Sequence, residues 1–217
     1  MKYKKEQIHI KWFSQDQINA IVESLPTLRD KIIFEINIET GMRIGEILGL
    51  KLKHFEPNEG ILSIKKEENI ENEALAKTNE RELPISGELS ERIELYIRGE
   101  RLDSLTDNVD YIFLNWKGSA KGGPLKPTNY LRIIKRAAER GGFDQSEIRT
   151  HSGISTLAQQ LVDALNDRKV TEAFILEQFG WGSMDTLKRY VTTFNRKGRH
   201  KVYKKLNIRR FQDKSKG

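Results

Sequence analysis

Gly180-Trp181-Gly182-Ser183-Met184-Asp185-Thr186-Leu187-Lys188-Arg189-Tyr190 is the stretch on which the reading of this chain turns. Gly180 reads as the stop of the apolar-periodic run Val170, Phe174, Ile175, Phe179, because glycine accepts the left-handed residue that closes many helices. Ser183 reads as the N-cap of the next helix, since its hydroxyl can take one of the unpaired first-turn N–H groups. Leu187, Tyr190, Val191 and Phe194 then fall at i, i+3, i+4 and i+7, which puts Tyr190 on or beside an inward stripe. A phenol there is either a core tyrosine with a satisfied hydroxyl or a group placed for chemistry, and the stretch alone leaves both open.

Upstream, the signals are mostly helical. Ser14-Gln15-Asp16-Gln17 has capping-box form, and Ile18, Ile21, Val22 and Leu25 continue at helical spacing up to Pro26. A second helix carries Leu28, Ile32, Ile33 and Ile36 and ends at Thr40-Gly41; a third, short one carries Arg43, Glu46, Ile47 and Leu50. Arg43 opens that helix, where the macrodipole favours acids, so it calls for an anionic partner: Glu46 or a ligand phosphate. Residues 60–64 and 81–85 read as short strands, and Pro84, which cannot donate to a ladder, places its strand at an edge. Ser86 caps a helix with Leu89, Ile93, Tyr96 and Ile97 inward, closed by Gly99. Tyr111-Ile112-Phe113-Leu114 is a short buried run, and residues 118–123 a flexible connection. Pro127 begins a helix with Leu131, Ile134 and Ala138 inward and Arg132, Lys135, Arg136 and Arg140 outward. That basic face suits a DNA backbone or is simply solvated. A further helix carries Leu157, Leu161, Val162 and Leu165. The fold class is mainly α with a small antiparallel β-sheet.

The 217 residues, 37% hydrophobic and 32% charged, suit a soluble globular protein of one large domain, with or without an appendage. No apolar run approaches membrane-spanning length, and Met1-Lys2-Tyr3-Lys4-Lys5 lacks the apolar core of a signal peptide, so a cytoplasmic protein with no membrane partner is expected. The absence of cysteine excludes disulfides, thiol catalysis and cysteine-held zinc. His9, His54, His151 and His200 are scattered without metal-site spacing, and no metal is expected. Net charge is +7, and its placement matters: residues 196–217 carry ten Lys or Arg against one Asp, leaving 28 basic and 30 acidic side chains in residues 1–195. A basic tail is an electrostatic footprint for phosphate, although a solvated end has the same composition.

Three pieces together resemble the catalytic domain of the tyrosine recombinases, the phage integrase family. Thr40-Gly41-Met42-Arg43-Ile44-Gly45-Glu46 through Leu50 is similar to the family's first arginine motif, T-G-x-R-x-x-E-x-x-x-L. Lys77-Thr78-Asn79-Glu80-Arg81-Glu82-Leu83-Pro84 is similar to its lysine motif, K-T-x-x-x-R-x-x-P. Gly180-Trp181 with Tyr190 nine positions on resembles the closing motif that carries the nucleophile. The resemblance implies the tyrosine recombinase catalytic-domain fold over residues 14–195, an N-terminal extension over 1–13, and a basic tail over 196–217 whose Val202, Tyr203 and Leu206 could form a docking helix on a neighbouring subunit. It implies double-stranded DNA as partner, self-association on that DNA, and an origin in a phage or mobile element. The implied chemistry is attack of the Tyr190 hydroxyl on a phosphodiester, giving a 3′-phosphotyrosine and a free 5′-hydroxyl with no cofactor. Arg43 would stabilise the non-bridging oxygens, Trp181 would donate its indole N–H to the phosphate, His151 would belong to the same site, Lys77 would protonate the leaving oxygen, and Glu46 would orient Arg43.

The chain departs from the family pattern at the second arginine. His151-Ser152-Gly153-Ile154-Ser155-Thr156-Leu157-Ala158 fits the H-x-x-R motif with isoleucine in the arginine position, whereas Ser146-Glu147-Ile148-Arg149 keeps an arginine and loses the histidine. The first register is preferred, because Ile148 to His151 match the extended lead-in and Ser155 to Ala158 the following helix. Loss of a transition-state arginine costs about 10²–10⁵ in rate, so two functions stay open: a recombinase, or a DNA-binding regulator or accessory factor on the same fold. The family's usual N-terminal core-binding domain has no counterpart in residues 1–13, which fits a fragment or a minimal form.

Overall fold

Ser14 opens α1 (Gln15–Ser24) through both halves of the capping box, its hydroxyl accepting the Gln17 N–H at 3.3 Å and the Gln17 carboxamide accepting its own N–H at 2.9 Å. The structure, a computed structural model, describes residues 12–76, 78–149 and 151–191, without the side chains of residues 188, 189 and 191. Phe13, just before that cap, is buried against Phe34, and its N–H reaches the Thr156 hydroxyl at 2.9 Å. α2 (Leu28–Thr40) is capped by Thr27 and buried almost all round, as a helix at the centre of a domain must be. It packs on α3 (Ile44–Leu48), on α4 (Gly87–Arg98) and α5 (Glu100–Ser104), and on α7 (Ser152–Asn166).

Three strands, β1 (Phe55–Glu56), β2 (Ile61–Ile64) and β3 (Arg81–Pro84), form an antiparallel sheet in that order, with Ile61 opposite Pro84 and Ile64 opposite Arg81. Pro84 therefore sits on an edge strand, where its missing N–H costs no ladder bond. Ser86 caps α4 by accepting the Leu89 N–H, and Leu89, Ile93 and Tyr96 face inward. Gly99 ends α4 and also starts α5, a short helix whose Glu100 carboxylate accepts the Leu28 and Arg29 N–H groups at the start of α2. Residues 111–114 are buried and extended, tied by single bridges from Tyr111 to Lys51 and from Leu114 to Pro124. The connection at 115–123 folds back on itself: Asn115 N–H meets the Gly123 carbonyl at 2.8 Å and Gly122 N–H meets the Asn115 carbonyl at 2.9 Å.

α6 (Pro127–Arg140) turns Tyr130, Ile134, Ala137 and Ala138 inward, with Leu131 half-buried at the margin. Of the expected inward residues Ile134 and Ala138 are buried, while Leu131 lies at the margin and Tyr130, whose hydroxyl donates to the Asp30 carbonyl at 3.2 Å, takes an inward place beside them. α7, α8 (Glu172–Phe179) and α9 (Asp185–Val191) complete the order, and Phe174, expected inward, is exposed on α8. Apolar burial divides in two: a main core around α2 and the sheet, and a smaller cluster of Ile154, Ala158, Val162, Ile175, Phe179, Trp181 and Leu187. Among the described residues no helix is long and apolar enough to cross a membrane.

Candidate active site

The turn that delivers Arg43 is built by hydrogen bonds from both sides. Gly41 adopts the left-handed conformation (φ +69°) and closes α2 by donating to the Asn37 carbonyl; a Cβ there would lie 2.5 Å from the Phe179 ring, so α8 is seated directly on this turn. Asn37 donates to the Met42 carbonyl at 2.7 Å, and the Thr40 hydroxyl bridges the Ile36 carbonyl and the Met42 N–H. Arg43 then occupies the N-cap of α3, its N–H taken by the Glu46 carboxylate at 2.9 Å and its Nη1 lying 3.5 Å from that group.

Glu46 is fully buried and serves two guanidiniums. Besides Arg43, it accepts from Arg81 Nη2 at 3.1 Å and from the Thr78 hydroxyl. Arg81 also donates to the Thr78 hydroxyl at 2.6 Å, to the Gln178 carbonyl at 3.0 Å and to the Asn79 carbonyl. Gln178 in turn donates to the Thr40 carbonyl at 2.8 Å. One carboxylate facing two cations leaves the cluster with a net positive charge. That charge opens outward at Arg43, whose side chain is 20% exposed against 5% for Arg81. Arg81 was legible only as part of the lysine motif. Its partner lies 35 residues away, and no local pattern announces such a pairing.

Beyond Gly180, again left-handed (φ +63°), the aromatic groups stack in series. The Trp181 ring lies 4.3 Å from Phe179 on one side and 5.2 Å from Tyr190 on the other, both near parallel, and His151 meets Tyr190 edge-on at 6.3 Å. Tyr190 is half-buried on α9, and the Ser183 hydroxyl, two residues before the first residue of that helix, accepts the Asp185 N–H at 3.1 Å. Trp181 is buried, and its indole Nε1 has no hydrogen-bond partner although its ring is held on both faces. A buried donor without an acceptor is costly and uncommon, and a ligand oxygen would satisfy it.

His151, Trp181 and Tyr190 thus meet by ring contact, and Arg43 joins them through Gly41, Phe179 and the Gln178 bond to Thr40. Ile154 lies in the first turn of α7, in the same apolar cluster as Trp181, while Arg149 is exposed before the helix, its N–H held by the Ser152 hydroxyl. Gly153 between them abuts the Asn37 side chain, which seats the start of α7 on α2. Arg132, Arg136 and Arg140 are exposed on α6 and Lys135 is half-buried there. Lys77 lies outside the described residues, as do residues 1–11 and the basic segment 196–217 with its expected docking helix.

Comparisons with known proteins bear on family and fold. The family model described as "Phage integrase family" matches residues 11–197. The chain is 30% identical over 193 residues to transposase A from transposon Tn554 of Staphylococcus aureus, covering 88% of this chain and 50% of that protein. It is 25% identical over 206 residues to tyrosine recombinase XerC of Staphylococcus epidermidis, covering 92% and 62%. It therefore spans about half to three fifths of these relatives' length. In fold, it resembles the crystal structure of XerA recombinase, with a TM-score of 0.70 at 20% identity over 94% of this chain and 68% of that one. It also resembles the Tn1549 transposon integrase in complex with transposon right end DNA, with a TM-score of 0.66 at 14% identity over 92% and 68%.

Proposed function

The chain belongs to the phage integrase family, and from that premise we propose that it is the strand-cleaving and rejoining region of a site-specific DNA recombinase of a mobile element, acting on double-stranded DNA in the cytoplasm. In this reading Tyr190 attacks a phosphodiester and becomes the 3′-phosphotyrosine, and the 5′-hydroxyl leaves. Arg43, oriented by Glu46, takes the charge that builds on the non-bridging oxygens; Trp181 donates its indole N–H; His151 stands at the far side of Tyr190; Lys77 protonates the leaving oxygen. Residues 14–195 form the catalytic unit, and residues 196–217 add charge and a docking segment for assembly on DNA.

The observation that carries this reading is the placement of a tyrosine against an indole with an unpartnered buried N–H, beside an arginine cluster with more cation than anion. A second reading has its own observation: Ile154 stands buried and apolar where the family pattern has an arginine, which favours a DNA-binding regulator that cleaves poorly or not at all. Duplexes selected from a random-sequence library by binding, then nicked at successive positions, separate the two. A covalent protein–DNA adduct that is absent from Tyr190→Phe supports the enzyme. Duplex binding without an adduct supports the regulator. Absence of duplex binding at low salt overturns both.

A further inference from the structure

Arg81 is charged, yet it is no part of the surface. Its side chain is 5% exposed, and Nε, Nη1 and Nη2 all carry protein acceptors. Nε donates to the Gln178 carbonyl at 3.0 Å, Nη1 to the Thr78 hydroxyl at 2.6 Å and the Asn79 carbonyl at 3.3 Å, and Nη2 to the Glu46 carboxylate at 3.1 Å. A guanidinium so enclosed has little left to offer a DNA phosphate, and its part in any reaction is indirect. The acceptors share a feature of placement. Glu46 holds Arg43 from within the same turn, Gln178 leads into Gly180 and Trp181, and Thr78 directly follows Lys77. A Cβ on Gly180 would lie 3.0 Å from Arg81 Nη1 and 3.1 Å from the Thr78 Cβ, so the turn before Trp181 is packed on the same group.

The three motifs depend on Arg81 to different degrees. Arg43 and Glu46 stand in one turn at i and i+3, and the bond from the Arg43 N–H at 2.9 Å closes without Arg81. Trp181 is stacked on both faces, by Phe179 and Tyr190. The segment around Thr78 is held otherwise. It belongs to the long connection from β2 to β3, whose first half is fixed to α3: Asn72 donates to the Leu48 carbonyl at 2.9 Å, and the Leu75 backbone lies against Gly45. The second half returns to the sheet through Thr78 and Asn79. The buried Thr78 hydroxyl donates to Glu46 and accepts from Arg81, the Asn79 carbonyl accepts from Arg81, and the Asn79 N–H makes a longer bond of 3.5 Å to the Gly180 carbonyl. Arg81, the first residue of β3, therefore clamps the lysine motif to the carboxylate that orients Arg43 and to the end of α8.

We propose that Arg81 is a positioning residue for the proton-transfer step: acting through Thr78, it sets where Lys77 delivers its proton relative to Arg43 and Tyr190. The proposal rests on the recombinase reading above. There the Tyr190 oxygen bonds to phosphorus, the bond from phosphorus to the 5′-oxygen breaks, and that oxygen keeps the electron pair and takes a proton from the Lys77 ammonium. The test replaces the leaving oxygen by sulfur. A 5′-thiolate, whose conjugate acid titrates near about 8.5, leaves without a proton, whereas a 5′-alkoxide needs one. Variants of the full chain are compared on nicked selected duplexes that carry an ordinary or a 5′-bridging phosphorothiolate linkage at the cleaved position, and the rate of covalent adduct formation is read. General acid catalysis is worth about 10²–10⁴ in rate. On oxygen, Lys77→Ala should lose that factor, and Arg81→Lys and Thr78→Val about 10², the low end, because Lys77 is still present. On sulfur, all three should react close to the wild-type rate. Arg81→Lys keeps a cation beside Glu46, but one ammonium cannot span the acceptors on Gln178, Thr78, Asn79 and Glu46. Thr78→Ser, which keeps the hydroxyl, should match wild type on both linkages, and Arg43→Ala should be slow on both. Thr78→Val carries the test alone where Arg81→Lys does not fold. Arg81→Lys and Thr78→Val equally slow on oxygen and sulfur, with Lys77→Ala rescued by sulfur, overturns the proposal and leaves Arg81 a structural residue; wild-type rates for both on oxygen overturn it too. Lys77→Ala slow on sulfur, or no adduct from the wild-type chain, overturns the reading beneath it.

Discussion

Ile154→Arg probes the position where the preferred register puts an isoleucine in place of the family's second arginine. The isoleucine is 1% exposed in the cluster of Ala158, Val162, Phe179 and Trp181, and truncating or replacing it forfeits ~2–3 kcal/mol of apolar burial. A guanidinium placed there in the free protein finds no spare carboxylate, because Glu46 already serves Arg43 and Arg81. An unpaired buried charge adds a penalty of several kcal/mol, of which the long arginine stem recovers part by carrying the head group to the edge of the cluster. The free variant should therefore lose about 3–5 kcal/mol, read as a lower urea midpoint with an unchanged m-value. DNA reverses the sign. A phosphate beside Trp181 and Tyr190 supplies the missing counter-charge, and an arginine in a phosphoryl-transfer site is worth about 10³–10⁵ in rate. Adduct formation on a nicked selected duplex, below the melting temperature of the variant and with Tyr190→Phe as blank, should rise by a large part of that factor. Arg149→Ala should change it little. If Arg149→Ala abolishes the adduct while Ile154→Arg, folded and DNA-bound, gives no more than wild type, the second arginine is Arg149 and the assignment of Ile154 is refuted.

The remaining predictions concern the supports of the site. Arg81→Met removes one of the two guanidiniums of buried Glu46 and should cost about 3 kcal/mol in a urea titration, the low end for a broken buried pair because Arg43 and Thr78 remain; Arg81→Met combined with Glu46→Gln should recover part of it. In Gly153→Ala, the new Cβ would sit 1.8 Å from Asn37 Oδ1 and displace the side chain that holds Met42, so a loss of about 1–3 kcal/mol should outweigh the helix-propensity gain of ~1 kcal/mol. Glu67 is held down to about 2, first by the hydrogen bond from Lys53, with Lys51 and His54 assisting and burial opposing. Its folded value is depressed, so its contribution is fully present above the ordinary carboxylate value and lost as pH falls through about 2; Glu67→Gln should flatten the acid limb of stability below pH 4.5.

What could be read from sequence was what is decided locally. The capping box of Ser14 and Gln17, the left-handed stops at Gly41 and Gly180, the serine cap before α4 and the edge proline of β3 all depend on residues within a few positions of one another. What could not be read depends on partners far away in the chain. β1 is two residues long, too short to carry a period, and α5 hides behind a glycine that reads as a terminus. Tyr130 turns inward with its hydroxyl on the carbonyl of Asp30, a hundred residues earlier, and Phe174 sits outside although its spacing fits the stripe, while Ile175 and Phe179 are the buried residues of α8. Of the candidate site, Arg43, His151, Trp181 and Tyr190 were proposed from motifs, whereas the ties that Arg81 and Gln178 make between those motifs have no spacing to be read by.

Those ties explain how two separately packed clusters can present one site. The nucleophile candidate rides on the small cluster and Arg43 on the large one, so their separation is fixed only where the clusters touch. Among the contacts of that seam are Gly153 against Asn37, Gly41 against Phe179, and the Gln178 backbone and side chain against Arg81 and Thr40. Two are glycines accepting no added carbon, and the third is a hydrogen-bond pair of fixed length, so none can slip by an ångström without a clash or a lost bond. Gly41 also closes α2, so at that turn helix termination and site alignment are enforced by one set of atoms. A substitution at the seam should therefore move Tyr190 relative to Arg43 before it unfolds either cluster, lowering cleavage at a stability loss too small to account for it.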